Sequence, residues 1–216
     1  MKDAKEFAKA LIDKNENNRY SNTVDGNMII NKMLYFAQII SLAKYGKVLF
    51  ENDLFAFENG SVVEDVRLEY KYNYDNMIKE ANEYDFSKFN TQELDVLKET
   101  NRLFSDFSAR ELSQITHSNK TWIDYFEGSK VDEGYLMSKQ KMPIESLEIN
   151  EVPWINEFLV KNNSNEDSYI VNNNITFYYS PNSYDENEVI ELTNNFKGSD
   201  KFYTIVKEDD GKAVIY

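Results

Sequence analysis

The sequence predicts a mainly α-helical, compact body followed by a small acidic α+β extension. Apolar residues recur at helical spacing through most of residues 1–147, and three candidate helix-start patterns lie in that part. Residues 148–216 instead contain strand-like runs with a hairpin signal. A chain of 216 residues is long enough for one domain with a sizeable core and a small extension, so we place the boundary between residues 147 and 148.

The first two helices are predicted from apolar spacing and from helix-end residues. Apolar and alanine positions indicate a helix over about 3–14, ahead of a polar loop. A second helix runs to Tyr45, with Asp25 or Asn27 as its cap and Gly46 as the residue that ends it.

The eleven residues 33–43 carry no charge and are rich in aromatic and aliphatic side chains. A helix that is apolar nearly all round is buried on most sides, so we predict that this is the central core helix. The run is far shorter than the roughly 20 residues that span a bilayer. The N-terminus is a charged amphipathic pattern rather than a secretory signal, which makes the cytoplasm the expected location.

A short β-hairpin is predicted after the core helix. Val48–Phe50 and Leu54–Phe57 have strand-like composition, and Gly60 permits the turn that follows. Residues 61–72 then return to helical spacing. A serine or asparagine followed three residues later by glutamate is the capping-box pattern of a helix start. The pattern occurs as Ser61 with Glu64, Asn90 with Glu93, and Ser108 with Glu111.

The extension differs from the body in charge and in predicted structure. Residues 148–216 carry 5 basic and 13 acidic side chains, a net charge of −8. A helix is predicted to begin at Pro153, and two strand-like runs follow it. The second run holds a hairpin signal at Asp210–Gly211.

The overall charge restricts the classes of partner. The chain has a net charge of −14, which repels nucleic acid and anionic membranes and suits a basic protein partner. Its lysines are dispersed among acidic residues, so no basic stripe predicts nucleic-acid binding. The chain contains no cysteine, which excludes disulfides and thiolate metal sites.

Few residues offer catalytic chemistry. His117 is the single histidine, and Ser113 lies four residues before it, so the two can share a helix face. Nothing marks Ser113 as activated, and a histidine at a helix end also suits hydrogen bonds to backbone and the helix dipole. The chain has no phosphate-binding glycine loop, no HExxH motif and no nucleophile elbow. We therefore expect a protein that is not an enzyme and has no cofactor or metal.

Three ordered sequence blocks carry a resemblance to a known family. They are INKMLYFAQIISLAKYGKVLF, FAFENGSVVEDVRLEYK and SARELSQITHSNKTW. With these blocks the chain resembles the Panacea, or SocA-like antitoxin, domain family over about residues 4–147. The matching positions are Lys32, Leu34, Tyr35, Phe36, Ala37, Gln38, Gly46, Lys47, Leu49, Phe50, Gly60, Val62, Val63, Val66, Tyr70, Leu112, Ser113, Thr116, His117 and Trp122.

Two positions depart from the family pattern. Ser61 stands where the family usually has proline, and Phe57 where tryptophan is common. The first change keeps the turn at Gly60 but loses a fixed φ, and the second keeps an aromatic ring. Both departures alter the surface around the turn rather than the fold.

The resemblance implies a function in protein binding. Domains of this family neutralise a cognate toxin by binding it, sometimes in a chaperone-like way and in one branch by adapting the toxin to a protease. Related genes occur in phages and mobile elements, and variable extensions are associated with the choice of partner. We therefore expect an antitoxin-like protein whose partner is a toxin from an adjacent gene, with residues 148–216 specifying that partner.

Seven residues in and near the central helix, most of them aromatic, are the candidate contacts with the toxin. Aromatic side chains dominate interface hot spots, so any that the body leaves uncovered would anchor a partner. The candidates are Tyr35, Phe36, Ile39, Phe57, Gly60, His117 and Trp122. The competing interpretation is that they are ordinary core residues.

Two other functions remain as alternatives. The charge suggests a phage or mobile-element inhibitor whose acidic surface mimics DNA and occupies a host nucleic-acid-binding enzyme. An enzyme that uses His117 with Ser113 or with a carboxylate ranks last, since a general base needs an activated nucleophile and an orienting group.

Overall fold

The computed structural model divides the chain into two compact units, Met1–Asn156 and Glu157–Tyr216. A mainly helical architecture with small sheets is confirmed. The structure describes residues 2–13, 19–131, 134–135, 140–163, 168–173, 175–180, 183–198, 202–208 and 211–215.

The first unit is built around one long helix, α2. Its helices are α1 (Ala4–Asp13), α2 (Val24–Tyr45), α3 (Glu64–Tyr72), α4 (Tyr74–Asn82), α5 (Thr91–Phe104), α6 (Ala109–Ser118), α7 (Lys120–Glu127) and the start of α8 (Ile144–Asn163). Helices α1, α3, α5 and α6 all pack against α2. Every residue from Ile29 to Leu42 is buried, which confirms α2 as the central core helix.

The two ends of α2 are fixed by different residues. Thr23, rather than Asp25 or Asn27, is the N-cap, and its side chain accepts a hydrogen bond from the Gly26 amide at 3.0 Å. Gly46 ends the helix as predicted, with a φ of 59° and its amide donating to the Leu42 carbonyl.

Short strands lie beside the helices. Strand β1 (Leu54–Phe57) pairs antiparallel with β2 (Gly60–Val63) on one side and with β5 (Gln140–Met142) on the other. Two further strands lie between α7 and β5 in the chain: β3 (Lys130–Val131) pairs antiparallel with β4 (Gly134–Tyr135). The strand predicted over Val48–Phe50 is wrong: that segment is irregular, and its amides bind a side chain of α2 instead of a neighbouring strand.

Two of the three predicted capping boxes are present, at the starts of α5 and α6. The third, Ser61 with Glu64, is wrong. Ser61 lies within β2, and the extended chain continues to Val63, where α3 begins without a side-chain cap. Glu64 instead binds the Arg67 guanidinium through both carboxylate oxygens.

Helix α8 begins earlier than predicted. It starts at Ile144, so Pro153 lies inside the helix rather than at its beginning. Leu147, Glu151 and Ile155 recur at four-residue spacing and are all buried, which explains the early start. The boundary predicted between residues 147 and 148 falls inside α8, and the functional division that it expresses stays a prediction.

The described residues of the second unit form the end of α8, a four-stranded sheet and one further helix. The sheet has the order β6 (Ser168–Asn172), β7 (Ile175–Tyr179), β8 (Phe202–Lys207) and β9 (Ala213–Ile215). Strands β7 and β8 are parallel, and the unpredicted helix α9 (Glu186–Thr193) connects them. The predicted pairing of β8 with β9 is confirmed, and Gly211 has a φ of 84°, whereas Asp210 lies outside the described residues.

Phe36 illustrates the packing of the aromatic core. The side chain is 0% exposed, and its ring stacks on Phe104 with 4.0 Å between ring centres and 10° between planes. Tyr35 meets the same ring edge-on at 5.5 Å. These contacts place Phe36 in the core of the first unit.

Replacement of Phe36 by alanine should lower the free energy of unfolding by roughly 3–5 kcal/mol, because the lost ring leaves a cavity that neighbours fill only in part. Urea unfolding of purified protein measures the change. Ile149→Ala is the control, since that side chain is 74% exposed, and it should change stability by no more than about 0.5 kcal/mol. A Phe36→Ala variant as stable as the control would show that the ring is not core.

Candidate functional site

Buried polar side chains of α2 hold the backbone of the segment that follows the helix. Gln38 is buried, and its Oε1 accepts hydrogen bonds from the amides of Leu49 and Phe50 at 3.0 and 3.3 Å. Ser41 Oγ donates to the Lys47 carbonyl at 2.8 Å. Because buried backbone groups require hydrogen-bond partners, these side chains fix a segment that is neither helix nor strand.

Asn31 and Lys32 act in the same way on β2. Asn31 Oδ1 accepts from the Val63 amide, and Lys32 Nζ donates to the Ser61 carbonyl, both at 2.9 Å. Each of the two α2 side chains is 1% exposed. The strand that follows the hairpin turn is therefore tied to the central helix.

The turn between β1 and β2 is held from the other side by α6 and α7. Each of the three consecutive carbonyls of residues 57–59 accepts one side-chain hydrogen bond. The donors are Trp122 Nε1 to Phe57 at 2.8 Å, His117 Nε2 to Glu58 at 3.0 Å and Ser113 Oγ to Asn59 at 3.0 Å. We call residues 57–61 the clamped turn.

The hydrogen bond to Glu58 defines the state of His117. A carbonyl only accepts, so Nε2 carries the proton. The ring also stacks on Trp122, with 4.2 Å between ring centres. Burial, followed by the charge of Lys32, lowers the pKa of His117, although the Glu58 carbonyl acts in the opposite direction. The imidazole is therefore neutral at pH 7, and Nε2 is not a proton acceptor for Ser113 Oγ, which lies 3.5 Å away.

Gly60 lies at the centre of the clamped turn. Its φ of 96° is one that L-residues rarely adopt. A Cβ at this position would overlap Thr116 Oγ1 and lie 2.9 Å from both Cε and Nζ of Lys32. Conformation and space therefore both require glycine here.

Glu151 of α8 positions the helix that carries Trp122. Its buried carboxylate accepts from the Thr121 amide at 2.7 Å and from Asn119 Nδ2 at 2.5 Å. A carboxylate at a helix N-terminus satisfies free amides and complements the helix dipole. Glu151 thus fixes the first turn of α7 through Thr121, the residue before Trp122.

A cavity of about 780 Å³ adjoins the clamped turn. Residues of α2, β1, the turn, α3 and α7 form its wall, among them Asn27, Lys32, Phe57, Arg67, Tyr70 and Phe126. Val24, Glu58 and Lys71 belong to the wall and are exposed, so the cavity opens to solvent.

Lys32 is the titratable group most changed by this environment. Burial lowers its pKa from 10.5 to about 7. Within the described ranges, no carboxylate lies at ion-pair distance from its Nζ, and the Ser61 carbonyl is its one hydrogen-bond acceptor. The ammonium has three donors, so this single bond leaves it incompletely satisfied.

The predicted partner contacts divide into two groups. Phe57, Gly60, His117 and Trp122 meet at the clamped turn. The other three, Tyr35, Phe36 and Ile39, are 0% exposed in the core, so contact with a partner would require the first unit to open. Their role in partner binding stays a prediction.

Several residues of the site were not singled out from the sequence. From the sequence, Lys32 and Thr116 are only family positions, Ser113 is a family position and a possible nucleophile for His117, and Asn31 and Glu151 carry no prediction. The available signal was the presence of amide and charged side chains in a helix that is otherwise apolar all round. Such side chains are buried with the helix and must find partners there.

Comparison with known proteins supports the resemblance. The family model described as "Antitoxin SocA-like, Panacea domain" matches residues 30–123, which include α2, the clamped turn, α6 and Trp122. No curated protein and no solved structure matches the chain.

Among the described residues, no three or more His, Asp or Glu side chains are grouped to hold a metal. No helix in that part of the chain is long and apolar enough to cross a membrane.

Replacement of Gly60 by alanine should destabilise the protein more than the same change at Gly46. Both glycines have positive φ, which costs alanine about 1–2 kcal/mol. Only Gly60 faces atoms closer than 3 Å, since nothing lies within 4 Å of a Cβ at Gly46. The overpacking should add roughly 1–3 kcal/mol. Urea unfolding of the two variants measures the difference.

Thr116→Ala provides the matched test of the contact. In the background of Gly60→Ala it should recover part of the lost stability, because it removes the nearest obstructing atom. Equal losses of unfolding free energy for Gly46→Ala and Gly60→Ala would contradict the proposed crowding. So would strictly additive effects of Gly60→Ala and Thr116→Ala on that free energy.

Lys32 should make stability rise with pH above neutrality. Its folded pKa is about 7, whereas the unfolded chain keeps the proton to about pH 10.4. Between these values unfolding takes up a proton, so stability increases by up to about 1.4 kcal/mol per pH unit. Below pH 7 the amine is protonated in both states, and the cost of burying its charge is fully present.

Lys32→Met removes this dependence while keeping the shape of the side chain. Urea unfolding at intervals from pH 6 to 10 should show the free-energy difference between wild type and Lys32→Met shifting in favour of wild type as pH rises. Lys79→Met, at an exposed position, is the control and should show no such shift. A constant difference for Lys32→Met would mean that the amine is not protonated on unfolding.

Proposed function

With residues 30–123 matching the SocA-like Panacea domain of antitoxins, we propose that this protein is an antitoxin that neutralises a cognate toxin by direct protein–protein contact. The observation that carries the proposal is the clamped turn. Family positions from all three sequence blocks converge on it, namely Lys32, Gly60 and the donors of α6 and α7. A region in which the family pattern fixes one turn so fully is the best candidate for the contact surface.

The clamped turn is suited to recognition because its backbone is held by hydrogen bonds and two of its side chains face outward. The carbonyls of residues 57–59 are all bound to α6 and α7, whereas the side chains of Glu58 and Asn59 are exposed. A preorganised surface loses little conformational entropy when a partner binds. The exposed Glu58 and the net charge of −14 favour a basic toxin surface.

The state of His117 supports a binding role over a catalytic one. Its Nε2–H is engaged with the Glu58 carbonyl, and the Ser113 hydroxyl donates to the Asn59 carbonyl. A general base must be free to accept the proton of its nucleophile. In this arrangement both groups instead fix the turn.

The remaining parts of the proposal follow from the family. The toxin would be encoded beside this gene and would meet the antitoxin in the cytoplasm. The acidic segment 148–216 would contribute to the choice of toxin. Neutralisation would proceed by occupation of the toxin, whether or not a protease later removes it.

The first test is co-expression. The adjacent small open reading frame should arrest growth when expressed alone, and growth should recover when this protein is present at equal or greater level. Affinity capture of the tagged protein from its host should retain the same toxin. A toxin that stays lethal despite sufficient antitoxin would refute the proposal, and capture of an enzyme released by DNA in a salt-dependent manner would favour the DNA-mimic alternative.

Glu58→Arg tests the surface. The side chain is exposed, and its backbone carbonyl rather than its carboxylate holds the clamp, so the fold should be unaffected. We expect toxin binding to weaken by about tenfold or more, because like charges then face each other. Glu83→Arg, exposed at the end of α4, is the charge-matched control and should bind as wild type does. Equal binding by both variants would move the contact away from the turn.

A further inference from the structure

Lys32 combines burial, a positive charge and a place in the wall of the cavity. The whole residue is 1% exposed, and it lies beside the turn at the inner end of the cavity. Its ammonium donates one hydrogen bond to the Ser61 carbonyl at 2.9 Å. Two N–H donors are left over, and a buried ammonium without a counter-ion is costly to maintain.

The bond to Ser61 alone does not account for a lysine at this position. Asn31 and Gln38 of the same helix bind buried backbone groups with uncharged amides. A neutral donor would therefore serve the Ser61 carbonyl without the cost of burying a charge. The positive charge calls for an anionic partner, which the described residues around it do not supply.

The wall of the cavity has a charge balance opposite to that of the chain. Its described residues include three cationic side chains, Lys32, Arg67 and Lys71, and one acidic side chain, Glu58. The chain as a whole has 24 basic and 38 acidic residues. Arg67 is partly neutralised by Glu64, whereas Lys32 is not paired with a carboxylate in the described ranges. An anion is thus favoured here against a repulsive overall field.

Much of the remaining wall is apolar. Val24, Met28, Ala56, Phe57, Val62 and Phe126 contribute to it. A volume of about 780 Å³ lies within the range of small-molecule sites. A ligand that fits must therefore carry both a negative group and an apolar body.

We propose that this cavity binds a carboxylate group attached to an apolar body, with the carboxylate accepting hydrogen bonds from the Lys32 ammonium. The carboxylate supplies the missing counter-ion, and the apolar body covers the side chains around the opening. The site goes beyond the antitoxin function and does not depend on it. The carboxylate belongs either to a free small molecule or to a side chain of a protein partner, and the chemistry at Lys32 is the same for both.

Binding should be linked to proton uptake. At pH 8 the amine is mostly neutral, because its pKa is about 7, so a carboxylate that pairs with the ammonium must draw a proton from the buffer. The charged and titratable groups that line the cavity with Lys32 are Glu58, Arg67, Tyr70 and Lys71. Glu64 of α3 pairs with Arg67, and His117 of α6 binds the Glu58 carbonyl. His117 has a lowered pKa and stays neutral at pH 8, so Lys32 is the expected source of the proton uptake.

The test uses purified full-length protein and two probes of matched shape, 2-naphthylacetate and the neutral 2-naphthylacetamide. Titration calorimetry at pH 8 in buffers of different ionisation enthalpy measures affinity and proton uptake together. We expect the acid to bind about tenfold to a hundredfold more tightly than the amide. It should take up about one proton per ligand bound.

Two variants distinguish the contribution of Lys32 to binding from that of a neighbouring lysine. Lys32→Met should lose the preference for the acid and the proton uptake, whereas Lys71→Met should keep the uptake, since Lys71 is exposed at the opening. If Lys32→Met does not fold, the comparison of the acid with the amide in the wild-type protein still tests whether the cavity prefers a carboxylate. Equal binding of the two probes, or binding of the acid without proton uptake, would overturn the proposal.

A final arm identifies the source of the carboxylate. Once a toxin has been captured, 2-naphthylacetate should compete with it if the toxin supplies the carboxylate, and should leave it bound if the natural ligand is a free acid. Failure of toxin neutralisation would not affect the calorimetric result, so the two proposals fail independently.

Discussion

The structure depends on hydrogen bonds from buried polar side chains of α2 to the backbone that follows it. Polar side chains in a buried helix need hydrogen-bond partners, and those of Asn31, Lys32, Gln38 and Ser41 find them on main-chain atoms. Gln38 and Asn31 do so by pairing with main-chain groups of the irregular segment and of β2. The helix therefore provides more than apolar surface: it determines where a non-helical stretch of chain can lie. The clamped turn is placed by this template on one side and by α6 and α7 on the other.

Features with local causes were predictable from the sequence. The all-round apolar character of α2, its end at Gly46 and the capping boxes of α5 and α6 involve residues within one or two turns of each other. The N-cap of α2 at Thr23 was a local error, whereas the other errors arose where distant contacts decide. Ser61 fits a capping box by spacing, but pairing of β1 with β2 draws it into a strand. The start of α8 was missed because Pro153 suggested a beginning, whereas burial of Leu147 and Glu151 extends the helix backward.

Several residues of the site were predictable from the sequence, but their spatial arrangement was not. The sequence blocks contain Gly60, His117 and Trp122, yet their spacing does not reveal that they meet at one turn. Aromatic and histidine side chains suggested partner anchors, whereas the structure engages their polar atoms with backbone carbonyls. Glu151 had no signal at all, since its role exists only once α7 and α8 are packed. Contacts between residues far apart in sequence create the functional geometry, and a single sequence does not encode them as a pattern.

The clamped turn and the cavity share one residue, Lys32, which provides a route for coupling between them. Lys32 donates to the Ser61 carbonyl and lies in the cavity wall, and its Nζ is 2.9 Å from where a Cβ of Gly60 would be. A carboxylate that pairs with Lys32 changes the charge and the hydrogen bonding of the group that holds one end of the turn. If that turn contacts a toxin, any effect of the ligand on the affinity for the toxin must equal the effect of the toxin on the affinity for the ligand, since coupling between two sites is reciprocal. Competition, mutual enhancement and independence would each assign a different role to the one buried cation of α2.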